Sequence, residues 1–235
     1  MVGPRQKLRD VLKRSSVGII AEVKRSSPSK GALKRDLRAA DHAIAFQRGG
    51  AAAISVLTEP TRFQGSTEDL ETVRAAVAIP VLKKDFHIDP VQLLEARALG
   101  SSAALVIVRA VPPGRLAELL ALGREIDLDI LVEVRDAAEL DLALSLGAEI
   151  IGVNNRDLET LEIDHSTVER VLSLIPRSCS AVAESGFETR ADVERAAACG
   201  ADAILIGSVL SRSADPAATV RSLGGVVRNS DARPN

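Results

Sequence analysis

Short apolar runs return along the chain at intervals of roughly 25 residues, each bounded by turn residues. They are VGIIAEV (17–23), AAAISVL (51–57), IPVLK (79–83), AALVIV (103–108), DILVEV (129–134), EIIGV (149–153), SAVAE (180–184) and DAILIG (202–207). Short continuous runs rich in β-branched residues predict strands buried on both faces. Between them lie DHAIAFQRGG, PVQLLEARALG, PPGRLAELLALG, AAELDLALSLG and RADVERAAACG, with apolar residues at helical spacing. All five of these stretches end in a glycine, the residue suited to a helix C-cap, and two open with proline. The pattern is eight strand–helix units without a break in composition.

Such a repeat predicts an α/β fold, a single-domain (β/α)8 TIM barrel over residues 17–227. A doubly wound sheet also alternates strand and helix, but eight uninterrupted units favour closure. Residues 1–16 read as a short N-terminal helical extension, and the polar residues 228–235 as a disordered tail. The first helix after Ser27 is expected to begin near Asp36.

The polar residues inside the strands carry the chemistry. Strand residues alternate between lumen and helix layer, and barrel active sites lie at the C-terminal strand ends. In IIAEVKRSSPSKG (19–31), Ile20, Glu22 and Lys24 share a face. Leu82 pairs with Lys84, Leu131 with Glu133, Gly152 with Asn154, and Val182 with Glu184. If these faces point inward, three carboxylates, two ammonium groups and an amide meet at the top of one lumen. Burying charge is costly unless it is paired, so a satisfied salt-bridge layer is the rival to a catalytic site. Lys84 has Lys83 beside it; a simply solvated lysine is the bland reading for this pair, and the face assignment decides between them.

A second group suits an anion. ESG (184–186) follows the seventh strand and IGS (206–208) the eighth. Barrel enzymes often hold phosphate with these two loops. Gly186 and Gly207 permit close backbone approach, and Ser208 can open a helix whose free N–H groups face an anion. In the SSPSKG loop, Ser27 and Ser29 are placed to cap a carboxylate or phosphate beside Lys24.

Composition narrows the classes. The chain has 235 residues, 46 % hydrophobic and 26 % charged, with a net charge of −2. Neither a nucleic-acid nor a membrane partner is indicated by that balance. No run approaches the ~18 apolar residues of a membrane span, and MVGPRQKLRDVLKRSS lacks the apolar stretch of a signal peptide. Cys179 and Cys199 show no CxxC spacing and read as reduced thiols, which suits a cytoplasmic protein. His42, His87 and His165 have no metal-site spacing, and no GxGxxG or GxxxxGK[ST] motif is present. With no Trp or Tyr and four Phe, the core is built from Ala, Val, Leu and Ile.

The stretches IIAEVKRSSPSKG, SVLTEP…FQGS, PVLKKDF, LVEV, IGVNNRDL, AESG and LIGS resemble the indole-3-glycerol phosphate synthase family, in order and at comparable spacing. The likeness runs over about residues 17–213. It implies a carbon–carbon lyase (carboxy-lyase) of tryptophan biosynthesis, acting without a cofactor or metal. Its substrate would be 1-(2-carboxyphenylamino)-1-deoxyribulose 5-phosphate. The products would be indole-3-glycerol phosphate, carbon dioxide and water. By the same resemblance Lys84 would be the general acid. Lys24 would hold an anionic group and assist ring closure or dehydration. Glu133 would be the base, or the acid–base partner in dehydration, and Glu22 would position the lysines. Asn154 and Glu184 would orient the substrate. Gly186, Gly207 and Ser208 would bind phosphate with Ser185 adjacent. Ser27 and Arg156 would meet the anthranilate carboxylate, and Phe63, Phe86 and Leu105 would wall the aromatic ring. A lysine can serve near neutral pH if a neighbouring cation and burial lower its pKa. A monomer is the favoured state.

Two features depart from the family pattern. About 16 residues precede the first strand, where members usually carry an extra N-terminal helical segment that helps cover the site. In TRFQGS, Arg62 stands where a second aromatic or another residue often sits. The residues alone leave other readings open: a phosphoribosylanthranilate isomerase-like barrel, a Schiff-base aldolase using Lys84, or a non-catalytic barrel. The isomerase reading needs a cysteine at the end of strand one, where this chain has Glu22 and Lys24.

Overall fold

The computed structural model describes residues 6–28, 31–32 and 37–235. Its strands are β1 (Gly18–Val23), β2 (Ala53–Leu57), β3 (Val81–Lys84), β4 (Ala103–Ile107), β5 (Asp129–Val134), β6 (Ile150–Asn154), β7 (Ser180–Glu184) and β8 (Ala203–Ile206). All neighbours are parallel, and β1 pairs with both β2 and β8, so the sheet closes into a barrel. Each strand falls within one residue or two of its apolar run. A separate antiparallel pair, Ser26–Ser27 with Gly31–Ala32, folds the loop after β1 back on itself. The helices are α1 (Leu8–Leu12), α2 (Ala39–Gly49), α3 (Thr67–Ala76), α4 (Pro90–Ala98), α5 (Pro113–Glu125), α6 (Ala137–Ser145), α7 (Ser166–Leu172), α8 (Arg190–Ala198), α9 (Ser208–Arg212) and α10 (Pro216–Leu223). Asp36 and Ser29 lie outside the described residues, and the first described helix after β1 begins at Ala39.

Alternation along the strands makes two cores. Ile20, Leu82, Leu105, Leu131, Ile150, Val182 and Leu205 fill the lumen. Their neighbours Ile19, Val81, Val106, Val132, Ile151 and Ile204 pack under the helices. Gly50, Gly100, Gly147 and Gly200 end helices in the left-handed region, with φ between +78° and +95°. Gly123 instead lies inside α5, where a Cβ would stand 2.6 Å from Ile130.

The two ends of the chain close the bottom. Leu8, Val11 and Leu12 of α1 join the lumen core. The Arg9 backbone N–H donates to Asp129 Oδ2 at 3.0 Å, at the first residue of β5. Thus α1 plugs the barrel end opposite the strand C-termini. The expected disordered tail is instead a packed strap. Arg233 is 3 % exposed and donates to Asp202 Oδ2 (2.8 Å) and the Cys179 carbonyl (3.2 Å). The Arg177 backbone N–H donates to the Pro234 carbonyl. A polar tail can be buried when a buried carboxylate meets its arginine.

Candidate active site

At the C-terminal ends of the strands lies a cavity of about 570 Å³. That is within the range of roughly 300–1,000 Å³ that suits small-molecule ligands. Lys84, Lys24, Glu133, Glu22, Asn154, Glu184, Ser185, Ser27, Arg156, Phe63, Phe86, Leu105, Gly186, Gly207 and Ser208 all line it. The cavity therefore gathers the described residues that the resemblance assigns to the site.

The floor is a charge cluster. Lys84 Nζ lies 3.3 Å from Glu184 Oε2 and 3.6 Å from Glu133 Oε2. Lys24 Nζ lies 2.7 Å from Glu22 Oε1. Asn154 Nδ2 donates to Glu133 Oε1 at 3.0 Å, and Asn154 Oδ1 accepts from the Arg156 backbone N–H at 2.9 Å. The amide therefore joins the carboxylate to the following loop. Two small residues make room for this layer. A Cβ on Gly152 would overlap the Glu184 carboxylate, and one on Gly207 would stand 2.5 Å from Glu22 Oε1.

The condition of a lowered lysine pKa is not met at Lys84. Burial pushes the Lys84 ammonium toward neutrality, but Glu184, Glu133 and Glu22 together outweigh it and hold its pKa above the ordinary lysine value. Lys84 is a stable cation at neutral pH, not a lysine tuned down. The reason is that the neighbours on the adjoining strands are anions. Glu184 bears the opposite effect. Burial raises its pKa to about 7 against the pull of Lys84, with Glu133 adding repulsion. A carboxyl group poised there exchanges a proton near neutrality.

Lys83 departs from the solvated reading. It is 2 % exposed, on the helix-layer side, with Nζ 2.9 Å from Glu95 Oε2 and 3.5 Å from Asp85 Oδ2. It is a paired, buried cation and not a solvated one.

Above the floor, Ser185 and Gly186 both have positive φ, 67° and 85°. For serine this conformation is strained, a feature that gathers at functional sites. Ser208 opens α9 directly after Gly207. Across the cavity, Arg156 Nη1 donates to the Leu161 carbonyl at 2.6 Å, and burial lowers the guanidinium pKa. Phe63 and Phe86 stand at the rim.

Glu59 lines the same cavity and was not singled out from the sequence. Its carboxylate accepts the backbone N–H groups of Thr61 (2.9 Å), Arg62 (2.6 Å) and Phe63 (3.1 Å). Burial acts to raise its pKa, but these bonds and the Thr61 hydroxyl hold it below the usual range. Glu59 thus shapes the turn that presents Phe63. Its only sequence signal was a glutamate just before a Pro-Thr turn. His165 and Phe187 were also missed; they meet edge to face at 6.4 Å beside Gly186. Among the described residues, no group of three His, Cys, Asp or Glu is placed to hold a metal ion, and no helix is long and apolar enough to cross a membrane.

The family model described as indole-3-glycerol phosphate synthase matches residues 2–223. The chain is 47 % identical over 215 residues to the indole-3-glycerol phosphate synthase of Dehalococcoides mccartyi strain CBDB1, covering 90 % of this chain and 83 % of that one. It is 45 % identical over 222 residues to indole-3-glycerol phosphate synthase 2 of Streptomyces coelicolor, covering 94 % and 86 %. Among solved structures, 2-keto-3-deoxy-6-phospho-gluconate aldolase from Zymomonas mobilis superposes with TM-score 0.68 at 15 % identity, covering 96 % of this chain and all of that one. Thiamine phosphate pyrophosphorylase from Pyrococcus furiosus gives 0.65 at 16 %, covering 92 % and 96 %. At such identity these two structures share the fold alone.

Proposed function

Because the chain belongs to the indole-3-glycerol phosphate synthase family, we propose that its charged floor closes the indole ring with Lys84 as the general acid. The family reaction is a carboxy-lyase step of tryptophan biosynthesis. It converts 1-(2-carboxyphenylamino)-1-deoxyribulose 5-phosphate to indole-3-glycerol phosphate, carbon dioxide and water.

In the first step the ring carbon bearing the carboxylate attacks the ribulose C2 carbonyl. The carbonyl oxygen takes a proton from the Lys84 ammonium and becomes a hydroxyl. The C–CO2 bond then breaks, and its electron pair restores the aromatic ring. In the second step that hydroxyl leaves as water, taking a proton from Lys24, while Glu133 removes a proton from ribulose C1. The new double bond completes the indole. Glu184, 3.3 Å from Lys84 and with a pKa near 7, returns the proton. Glu22 orients Lys24, and Asn154 orients Glu133. The loops at Ser185–Gly186 and Gly207–Ser208 bind the phosphate, whose binding energy is remote from the reacting atoms. Ser27 and Arg156 receive the carboxylate, and Phe63, Phe86 and Leu105 flank the ring. A cytoplasmic monomer, with both cysteines as free thiols, completes the proposal.

The observation that carries this reading is a lysine kept charged between two lumen carboxylates beneath the cavity. It also disfavours a Schiff-base aldolase, which needs a neutral amine. The test is turnover of the carboxyphenylamino sugar phosphate, followed by indole fluorescence; the absence of Trp keeps the background low. Lys84→Ala is expected to lower kcat at least about 1,000-fold with a modest change in KM. Parental turnover in that variant overturns the assignment.

A further inference from the structure

Lys83 is among the largest side chains sealed in the protein, yet the reaction above does not use it. Its surroundings are specific. Nζ meets Glu95 of α4 at 2.9 Å, Asp85 at 3.5 Å and His87 Nε2 at 3.5 Å. His87 is 1 % exposed, and its Nδ1 lies 2.7 Å from the Leu105 carbonyl of β4. A carbonyl only accepts, so Nδ1 carries the proton and Nε2 offers its lone pair to the Lys83 ammonium. Burial, then Lys83 itself, push the His87 pKa down to about 4, which keeps the ring in that neutral form. Asp85 accepts from Thr58 Oγ1 at 2.5 Å, just beyond β2, and the Thr58 backbone N–H donates to the Lys84 carbonyl at 3.1 Å.

The links from one ammonium thus reach β2 through Asp85, β4 through His87, and α4 through Glu95. Lys84 precedes this braced segment, and Phe86, 38 % exposed at the cavity rim, lies between its two anchors. We propose that Lys83 is a positioning residue for ring closure, bracing the Asp85–His87 segment so that Lys84 and Phe86 stand where the substrate needs them. The proposal rests on the reading of Lys84 as general acid. A displacement of about 1 Å can cost about 100-fold in rate, so a loosened brace is expected to show in turnover before it shows in folding.

The test compares Lys83→Met, which keeps the stem and removes the charge, with Lys83→Arg, which keeps the charge. Glu95 and Asp85 retain access to solvent, with 50 % and 18 % side-chain exposure, so the Met variant orphans no sealed carboxylate. The expected result is a kcat about tenfold lower and a KM a few-fold higher for Met, with Arg recovering most of both. Thr58→Val cuts the link to β2 without touching the buried charge, and is expected to shift kcat and KM the same way by a smaller factor. Should Lys83→Met fail to fold, Thr58→Val decides. Parental kcat and KM in folded Lys83→Met, or in Thr58→Val, overturn the proposal, as does an Arg variant no better than Met. Lys84→Ala in the same assay separates the two readings: if it keeps turnover, the general-acid assignment has failed; if it is inactive while Lys83→Met is parental, only the brace has failed.

Discussion

The two ends of the barrel bury charge in opposite ways. At the bottom, Asp129 opens β5 and accepts from the Arg9 backbone N–H at 3.0 Å and Arg9 Nε at 2.7 Å. Asp202 precedes β8 and accepts from Arg228 Nη1, Arg233 Nη2 and the Ala181 N–H, each at 2.8 Å. At the top, Glu133 and Glu184 share one ammonium, and Glu133 Oε2 and Glu184 Oε1 accept no hydrogen bond among the described residues. All four carboxylates are buried at strand ends. The difference is in their partners. The bottom offers each aspartate directed donors, which fix the chain ends in place. The top crowds like charges around one ammonium and leaves two buried carboxylate oxygens without a donor among the described residues. Saturated pairs make a lock, and unsaturated ones make a reagent.

The sharpest way to break this comparison is at the bottom. Asp202→Ala would leave Arg233 as a buried cation without its carboxylate and would strip the Ala181 N–H of its acceptor. Such losses cost about 3–5 kcal/mol. Urea denaturation is expected to show that loss, while kcat per folded molecule stays parental. A large fall in kcat with unchanged stability would mean that the bottom is not the lock described.

Glu184→Gln sharpens the other side. The native carboxyl keeps its proton up to about pH 7, whereas the unfolded side chain releases it near its ordinary value of 4.5. Between those values the folded state binds more protons, so this group makes stability fall as pH rises from 4.5 to 7 and stay level above. The glutamine variant lacks that term. Its stability relative to the parent is expected to climb across pH 4.5–7 and then plateau, as read by denaturation at a series of pH values. A constant difference would deny Glu184 its raised pKa.

What the sequence disclosed, and what it hid, follows the same line. The strands were legible because each is a continuous apolar run, and the lumen face was legible because alternation along β1, β3, β5, β6 and β7 is a property of single strands. The direction of the Lys84 shift was not, because Glu133 and Glu184 are distant in sequence and meet it only when the barrel closes. The burial of Lys83 was hidden for a like reason: its partner Glu95 lies on α4, and helix-layer burial of an ammonium is visible only with that partner in place. The C-terminal residues looked too polar to pack, since composition carries no trace of the Asp202 waiting for Arg233. Single-element patterns survive in sequence, and pairings between elements do not.

The smallest effect tests the division within the top itself, between reacting floor and binding wall. Ser208 is the first residue of α9, next to Gly207, and lines the cavity. Three residues on, Ser211 is 1 % exposed and its hydroxyl donates to the Lys24 carbonyl at 3.1 Å, so one short helix carries both a cavity hydroxyl and a structural one. In the proposed mechanism Ser208 meets only the phosphate, which is bound equally before and during ring closure. Uniform binding changes KM and leaves kcat alone. Ser208→Ala removes one hydroxyl from a charged ligand, worth about 1.5–3 kcal/mol, and retains the backbone N–H groups beside it. The expected result is a KM higher by about 10- to 100-fold, with kcat within a factor of two or so, in the same fluorescence assay. Inorganic phosphate, as a competing anion, is expected to inhibit that variant less than the parent. A fall in kcat at unchanged KM would move Ser208 from the wall to the floor, and the phosphate would then have to be sought elsewhere in the cavity.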